Sequence, residues 1–290
     1  MTTGSASGDP AVTARADDRQ TVAVSGSGLA ELTCAWLLAE QGHRVHVAAG
    51  PTGGSRPLVL GGETAALLAS VWRADLVAGA WPLRGRVVRW GRGEPGYVAA
   101  PALAIDGAVL VSRALDRLAG LGNVEIRGHG GGPGPGSARW TVTAAPGGAA
   151  AVEAGRRRML VGRVRLKAGE AADVTVLETV AGGWLHLFPV GGGEAVAQAM
   201  VPGPVERPAA LLSALLAESG LGARLDGACE QAVAVPAAPR LLDDPAAPGR
   251  LVVGGGALRL DPIAGTGTAQ AVRTAILAAA VIGSASRAGG

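Results

Sequence analysis

Two glycine-rich segments hold the residues of this chain best suited to chemistry. The first is Gly26-Ser27-Gly28, followed directly by Leu29. The second is Asp261-Pro262-Ile263-Ala264-Gly265-Thr266-Gly267, followed by Thr268. Each opens onto an apolar stretch of helical period. A turn without bulky side chains lets backbone come close to a ligand. The helix start beyond it offers free N–H groups and the positive end of the helix dipole. That arrangement suits an anionic ligand. The spacing after Gly26 is that of a dinucleotide-binding turn, with Glu31 standing at the third glycine position. A carboxylate there suits the dipole and repels a bound diphosphate.

Other chemistries lack their residue patterns. The four histidines, His43, His46, His129 and His186, form no HxxxH pair, and Cys34 and Cys229 form no CxxC. No zinc-type ligand set results. No GxSxG elbow is present, so a serine hydrolase of that kind has no support. Cys34 reads as a packed residue of the first helix. His43 and His46 flank the second strand in solvent or cap positions. His186 is the histidine expected in a pocket. Trp36 and Trp72 read as core, while Trp90 and Trp184 are candidate pocket walls.

The elements that must hold these residues follow from periodicity. Thr21–Val24 reads as a strand, Leu29–Gln41 as a helix with one apolar face (Leu29, Leu32, Ala35, Trp36, Ala39), and Arg44–Ala48 as a strand. Strand, glycine turn, helix and strand within about 28 residues open a dinucleotide-binding βαβ unit. Glu63–Arg73 and Leu110–Leu121 read as helices, Arg84–Trp90 and Asn123–Arg127 as strands. Gly50–Pro57 and Gly128–Ser137 read as loops. Short β-prone runs follow at 140–143, 159–166, 174–180, 184–189 and 194–201, which suggests an antiparallel sheet. Pro208–Glu218 is a helix, 250–253 a strand, and a helix from about Thr268 to Ile282 closes the chain. By alternation Trp184, His186 and Phe188 share one face of their strand.

Composition bounds the partners. Of 290 residues, 48% are hydrophobic and 17% charged, which is globular rather than disordered. The net charge is +3, Lys167 is the single lysine, and the longest basic run is Arg156-Arg157-Arg158 with no interleaved aromatics. Nucleic-acid binding is not expected. No uninterrupted apolar run of membrane-spanning length occurs, and residues 1–20 carry no signal-peptide core. They read as a flexible tail, and the compartment as cytoplasmic.

Taken together, the two glycine segments resemble those of the flavoprotein monooxygenases, the related flavin-dependent halogenases and the protein-modifying maturases. The resemblance covers most of Thr21–Gly283. It implies an α/β chain with a Rossmann-like FAD-binding fold of the glutathione-reductase type and an inserted antiparallel β-sheet substrate region. Nucleotide-binding segments fall at about 21–60, 102–145 and 245–290, and substrate-sheet segments at about 61–101 and 155–244. The resemblance implies FAD as cofactor. Gly26, Ser27, Gly28, Arg56, Arg113, Gly255, Asp261, Pro262, Gly265, Gly267 and Thr268 would be placed against it. Asp173–Val201 resembles the substrate-sheet hairpin of the halogenase branch. Trp184-Leu185-His186-Leu187-Phe188-Pro189 keeps the spacing of the halogenase WxWxIP motif, with His186 and Phe188 substituted. Halogenation itself is rejected, because Lys167 is in the wrong region for the lysine that reaction needs.

Three departures touch the cofactor. Glu31 replaces glycine, Ala49 stands where an acid holds the ribose, and Gly254-Gly255 stands where the family has Gly-Asp. The chain is also short for the group. Two functions remain open. One is a flavin-dependent oxidoreductase, most like a monooxygenase, acting on an aromatic or apolar small molecule or on a residue of a partner protein, with a separate flavin reductase as electron donor. The other is a flavin-fold protein that has lost FAD and serves as a non-redox cyclase or isomerase or as a binding subunit.

Overall fold

The computed structural model describes residues 19–50, 56–128 and 138–288. Most of the N-terminal tail, most of the loop after the second strand and the Gly/Pro loop with His129 lie outside the described residues. The first half of the chain runs β1 (Thr21–Ser25), α1 (Leu29–Glu40), β2 (Arg44–Ala49), β3 (Pro57–Gly61), α2 (Gly62–Trp72), β4 (Trp81–Leu83), β5 (Gly85–Arg89), β6 (Gly96–Val98), β7 (Ala102–Asp106), α3 (Gly107–Ala119), β8 (Val124–Gly128) and β9 (Trp140–Thr143). The second half runs β10 (Ala151–Glu153), β11 (Arg157–Arg165), β12 (Val174–Val180), β13 (Gly183–Gly191), β14 (Glu194–Pro202), α4 (Pro208–Glu218), β15 (Ala232–Pro236), β16 (Arg240–Leu242), β17 (Ala246–Ala247), β18 (Arg250–Val252), β19 (Leu258–Arg259) and α5 (Gly267–Ala288).

Alternating valines make the first sheet. Val22 and Val24 of β1, Val45 and Val47 of β2, and Val142 of β9 are all buried. The sheet has the order β17-β18-β9-β1-β2-β8. β18, β9, β1, β2 and β8 pair in parallel, and β17 turns back antiparallel on the β18 edge. The glycine turn after β1, Ala49 of β2 and the residues after β9 and β18 all lie at the carboxyl ends of these strands. In a parallel sheet that edge is where ligands bind.

α1 is buried far beyond one face. Ala30 through Trp36, Leu38 and Ala39 are all buried, because helices cover it from the side away from the sheet. Trp36 stacks on Trp72 of α2 with centroids 5.3 Å apart, and the Trp72 indole N–H reaches Thr33. α5 is longer than its periodicity suggests. Its segment Gly267–Arg287 is long and apolar enough, by length and composition, to cross a membrane. In this fold Val272, Ala275, Ala279 and Ile282 bury one side of it in the same core as α1. His43 is also buried, with Nδ1 accepting from the Gln20 N–H; of the two positions expected for it, it holds the cap rather than the solvent one, its N–H donating to Leu38 O at the end of α1.

The strand-rich middle forms a seven-stranded sheet of order β15-β11-β14-β13-β12-β5-β6. All its pairs are antiparallel except β5 with β12. Leu160, Leu185 and Leu187 point to one face, where α4 covers them with Leu212 and Leu216. Trp184 and Phe188 point to the other. Two small sheets, β3-β7-β4 and β10-β16-β19, complete the fold. The first of them packs on Phe188 and Val196 through Leu83 and Ala104.

Trp72→Ala removes a fully buried ring and orphans the space beside Trp36. It is expected to cost about 3–5 kcal/mol in urea unfolding. Trp90→Ala, at a position 57% exposed, is expected to stay within about 0.5 kcal/mol of the parent.

Candidate cofactor and substrate site

Glu31 decides the shape of the first glycine turn. It is 5% exposed, so its carboxylate cannot reach water and must find donors inside. It accepts from its own backbone N–H and from the Ala144 N–H at the end of β9, the latter at 3.2 Å. The carboxylate therefore lies against the two glycines. A Cβ on Gly26 or on Gly28 would collide with it. Burial raises the Glu31 pKa above the usual carboxylate range, against the lowering effect of those two hydrogen bonds. Cys34, one turn further along α1, is pushed up to about 12 by burial and by the Glu31 charge. It is an inert packed thiol, as its place in the helix implies.

The other strand ends crowd the same spot. Gly26 N donates to Ala48 O, and the Ser27 hydroxyl donates to Gly50 O. Gly254–Gly256 form a 3₁₀ turn after β18. Gly254 takes φ +60, a Cβ there would press on Ala30, and its N–H donates to Thr274 of α5 at 2.8 Å. These glycines let the turn pack on α1. Gly255 itself is exposed, with open space where a side chain would go.

The second glycine segment is built as a cap. Asp261 accepts from the Ile263 N–H and pairs with Arg157 of β11 at 2.7 Å, so its carboxylate is engaged with the seven-stranded sheet. Pro262–Ala264 make a 3₁₀ turn, and Gly265 ends it in the left-handed region, φ +64. Gly265 and Gly267 are exposed, Thr268 is half-buried, and α5 begins at Gly267. The Thr266 hydroxyl is buried without a hydrogen-bond partner. Ile263 packs on the cluster of Met159, Leu177, Trp184 and Met200. The turn thus sits against the face of the seven-stranded sheet that α4 leaves free.

Trp184 and His186 lie on that face. His186 pairs with Gln198 in register and hydrogen-bonds it. Its ring lies 5.2 Å from that of Phe188. Burial, and then the Arg86 cation, lower its pKa to about 4, so at neutral pH it is an uncharged imidazole. Trp90 is the first residue past β5 and is largely in solvent, at the rim and apart from the buried wall. Arg56 is exposed; its N–H donates to Asp106 Oδ1 beside the start of α3. Arg113 of α3 gives its guanidinium to Leu76 O at 2.7 Å, on the side of α2. The structure thus brings the start of α1 together with the Gly254–Gly256 turn, and Ile263 of the second turn together with Trp184. Arg86, Thr175 and Gln198 of the wall were missed. Strand alternation is visible in sequence, but cross-strand register is not. A groove of about 590 Å³ lies elsewhere, on the α4 face, lined by Val87, Tyr97, Val176 and Leu221 among others.

FAD fits this site at one end. The first-turn N–H groups of α5, from Gly267 on, and the unpartnered Thr266 hydroxyl suit the ring end. At the diphosphate end, the Glu31 carboxylate occupies the glycine cradle. Ala49 supplies no acceptor for the ribose.

No protein-family model and no curated protein matches the chain. Solved structures do. The chain has the fold of the flavin-dependent monooxygenases and halogenases. In particular it is similar to QhpG, a peptidyl tryptophan dihydroxylase essential for tryptophylquinone cofactor biogenesis (TM-score 0.78, 19% identity, 91% of this chain and 66% of that one). It is similar also to the flavin-dependent halogenase CmlS (0.70, 18%, 93% and 59%). A third is PqsL of Pseudomonas aeruginosa, a probable FAD-dependent monooxygenase (0.66, 18%, 91% and 86%). The chain spans less than two thirds of QhpG or of CmlS.

The lowered His186 pKa has a sign. The folded state favours the neutral ring, so its contribution is full above the unfolded value of about 6.5 and is lost as pH falls toward 4. Stability is expected to drop by about 2 kcal/mol between pH 7.5 and pH 5 from this residue alone. His186→Gln should remove that part of the pH dependence in urea titrations.

Proposed function

We propose that the chain is an FAD-dependent oxidoreductase of the monooxygenase type. Its substrate is an aromatic or apolar group, on a small molecule or on a residue of a partner protein. On this reading the parallel sheet is the nucleotide-binding half of a glutathione-reductase-type fold, and the seven-stranded sheet the inserted substrate region. The protein works in the cytoplasm and receives electrons from a separate reductase. One observation carries the reading: Ile263 seats the Asp261–Gly267 turn on the Trp184 face, so the exposed glycines and the start of α5 lie beside an apolar wall.

When bound, the flavin would supply the oxygen chemistry, as a cofactor does in this class. The chain's residues position and exclude water. Gly267 and Thr268 offer backbone donors at the α5 dipole, and Gly265 ends the turn before them. The Arg157–Asp261 pair fixes the turn against the sheet. Trp184, Phe188 and Leu177 keep the reacting space dry, and uncharged His186 holds a polar atom there without adding charge. No protein acid or base is required of this site.

Glu31 favours the second reading, a flavin-fold protein without FAD. The two separate in a titration of purified protein with FAD, followed by flavin absorbance and calorimetry. Glu31→Gly is expected to tighten FAD binding at least tenfold, by emptying the cradle and removing a buried charge near the diphosphate. Glu31→Gln, which keeps the bulk and removes the charge, should gain less. If neither the parent nor Glu31→Gly binds FAD, the flavin reading falls and the cofactor-free one stands.

A further inference from the structure

Three buried polar atoms on the face of the seven-stranded sheet turned away from α4 have no hydrogen-bond partners: Nε of Arg86, Oγ1 of Thr175 and Nε2 of His186. They sit on adjacent strands, β5, β12 and β13. Arg86 and Thr175 are direct cross-strand partners, so their side chains share a face. His186 stands opposite Leu177, two residues along β12 from Thr175, and so shares it too. Thr175 is only 3% exposed. Arg86 is near enough to His186 to act on its charge.

A buried donor or acceptor left unpaired is costly, and three together are a defect unless something fills them. Arg86 is distinctive. Its neighbours along the chain point to the other face or edge and each has an acid: Arg84 with Asp173 at 3.0 Å, Arg89 with Glu178 at 3.7 Å. Arg86 has no ion-pair partner among the described residues. The bond between the His186 ring and Gln198 favours the protonated ring, so the imidazole N–H donates and the Gln198 amide oxygen accepts. The neutral imidazole then keeps Nε2 as an acceptor. Around the three atoms lie Leu177, Phe188 and Trp184, all apolar and buried.

We infer that Arg86, Thr175 and His186 form a subsite for the acidic group of an aromatic or apolar carboxylate. The Arg86 guanidinium and the Thr175 hydroxyl donate to the carboxylate, and the uncharged His186 ring lines the subsite beside them. The inference rests on reading this face as the substrate wall, and it narrows the substrate class to acids.

Calorimetry on the protein as purified, with no flavin added, tests it independently of FAD. The probes are indole-3-acetate, its neutral amide, and inorganic phosphate. The parent is expected to bind the acid roughly 10- to 100-fold tighter than the amide, the span of one charged hydrogen-bond set. Arg86→Gln should abolish that preference, Arg86→Lys should keep most of it, and Thr175→Val should reduce it several-fold. Thermal unfolding of each variant shows that it is folded. Equal binding of acid and amide overturns the subsite, as does a preference that survives Arg86→Gln. Phosphate binding as tight as the acid would reduce it to a plain anion site and overturn the assignment to a carboxylate substrate. A chain that fails to bind FAD but keeps the Arg86-dependent preference would sink the flavin reading and leave the subsite standing.

Discussion

A buried carboxylate must find donors, and in this chain that need shapes the nucleotide end of the fold. Glycine at the third position of a dinucleotide turn lets a helix lie close on its sheet. Glu31 puts four heavy atoms beyond Cβ into that narrow space. With 5% of its surface exposed, it cannot escape to water. Its oxygens therefore settle on the donors within reach, its own N–H and that of Ala144. The same placement pins β9 to the start of α1. The Gly254–Gly256 turn closes over the pair, with Gly254 against Ala30 and its N–H tied to Thr274. The chain supplies its own anion where a relative with glycine there would leave room for a ligand's.

That exchange explains how a fold can keep its architecture while its cofactor contacts change. A diphosphate between glycines and a helix dipole also ties strand ends together. An internal carboxylate does part of this work permanently, at the cost of desolvating a charge. The second turn shows no such substitution. Asp261 is held by Arg157 and caps Ile263, so it serves the position of the turn, and the glycines beyond it stay exposed. The two turns are held by different neighbours, the first by Ala144 and the second by Arg157.

Much of this was legible in the residues. The βαβ opening, α4 at Pro208–Glu218 and β12 at Val174–Val180 follow from periodicity alone, since each has strong local pattern and clear punctuation. The shared face of Trp184, His186 and Phe188 follows from alternation. What stayed hidden depends on pairing at a distance. Strands of two or three residues, such as β17 or β19, have too little local signal and exist because a neighbour offers a ladder. α1 reads as one-faced because sequence cannot show that α2, α3 and α5 cover its far side. Arg86 and Thr175 lie 89 residues apart and share no motif. Only the β5–β12 register makes them neighbours.

The same register argument separates the two faces of the seven-stranded sheet by chemistry. On the α4 face the charged residues come in matched pairs, and the rest is a leucine and alanine core. Such a face needs nothing more to be stable. On the other face, apolar residues surround polar atoms that the fold itself does not satisfy. A core under selection only for stability would fill Arg86 and Thr175 with aliphatic side chains, since an unpaired buried polar group costs more than its loss. Their presence beside Phe188 makes sense if the missing partner arrives with a ligand. The open groove on the α4 face is for the same reason the less informative one: its arginines are already answered by Glu170, Asp173 and Glu178.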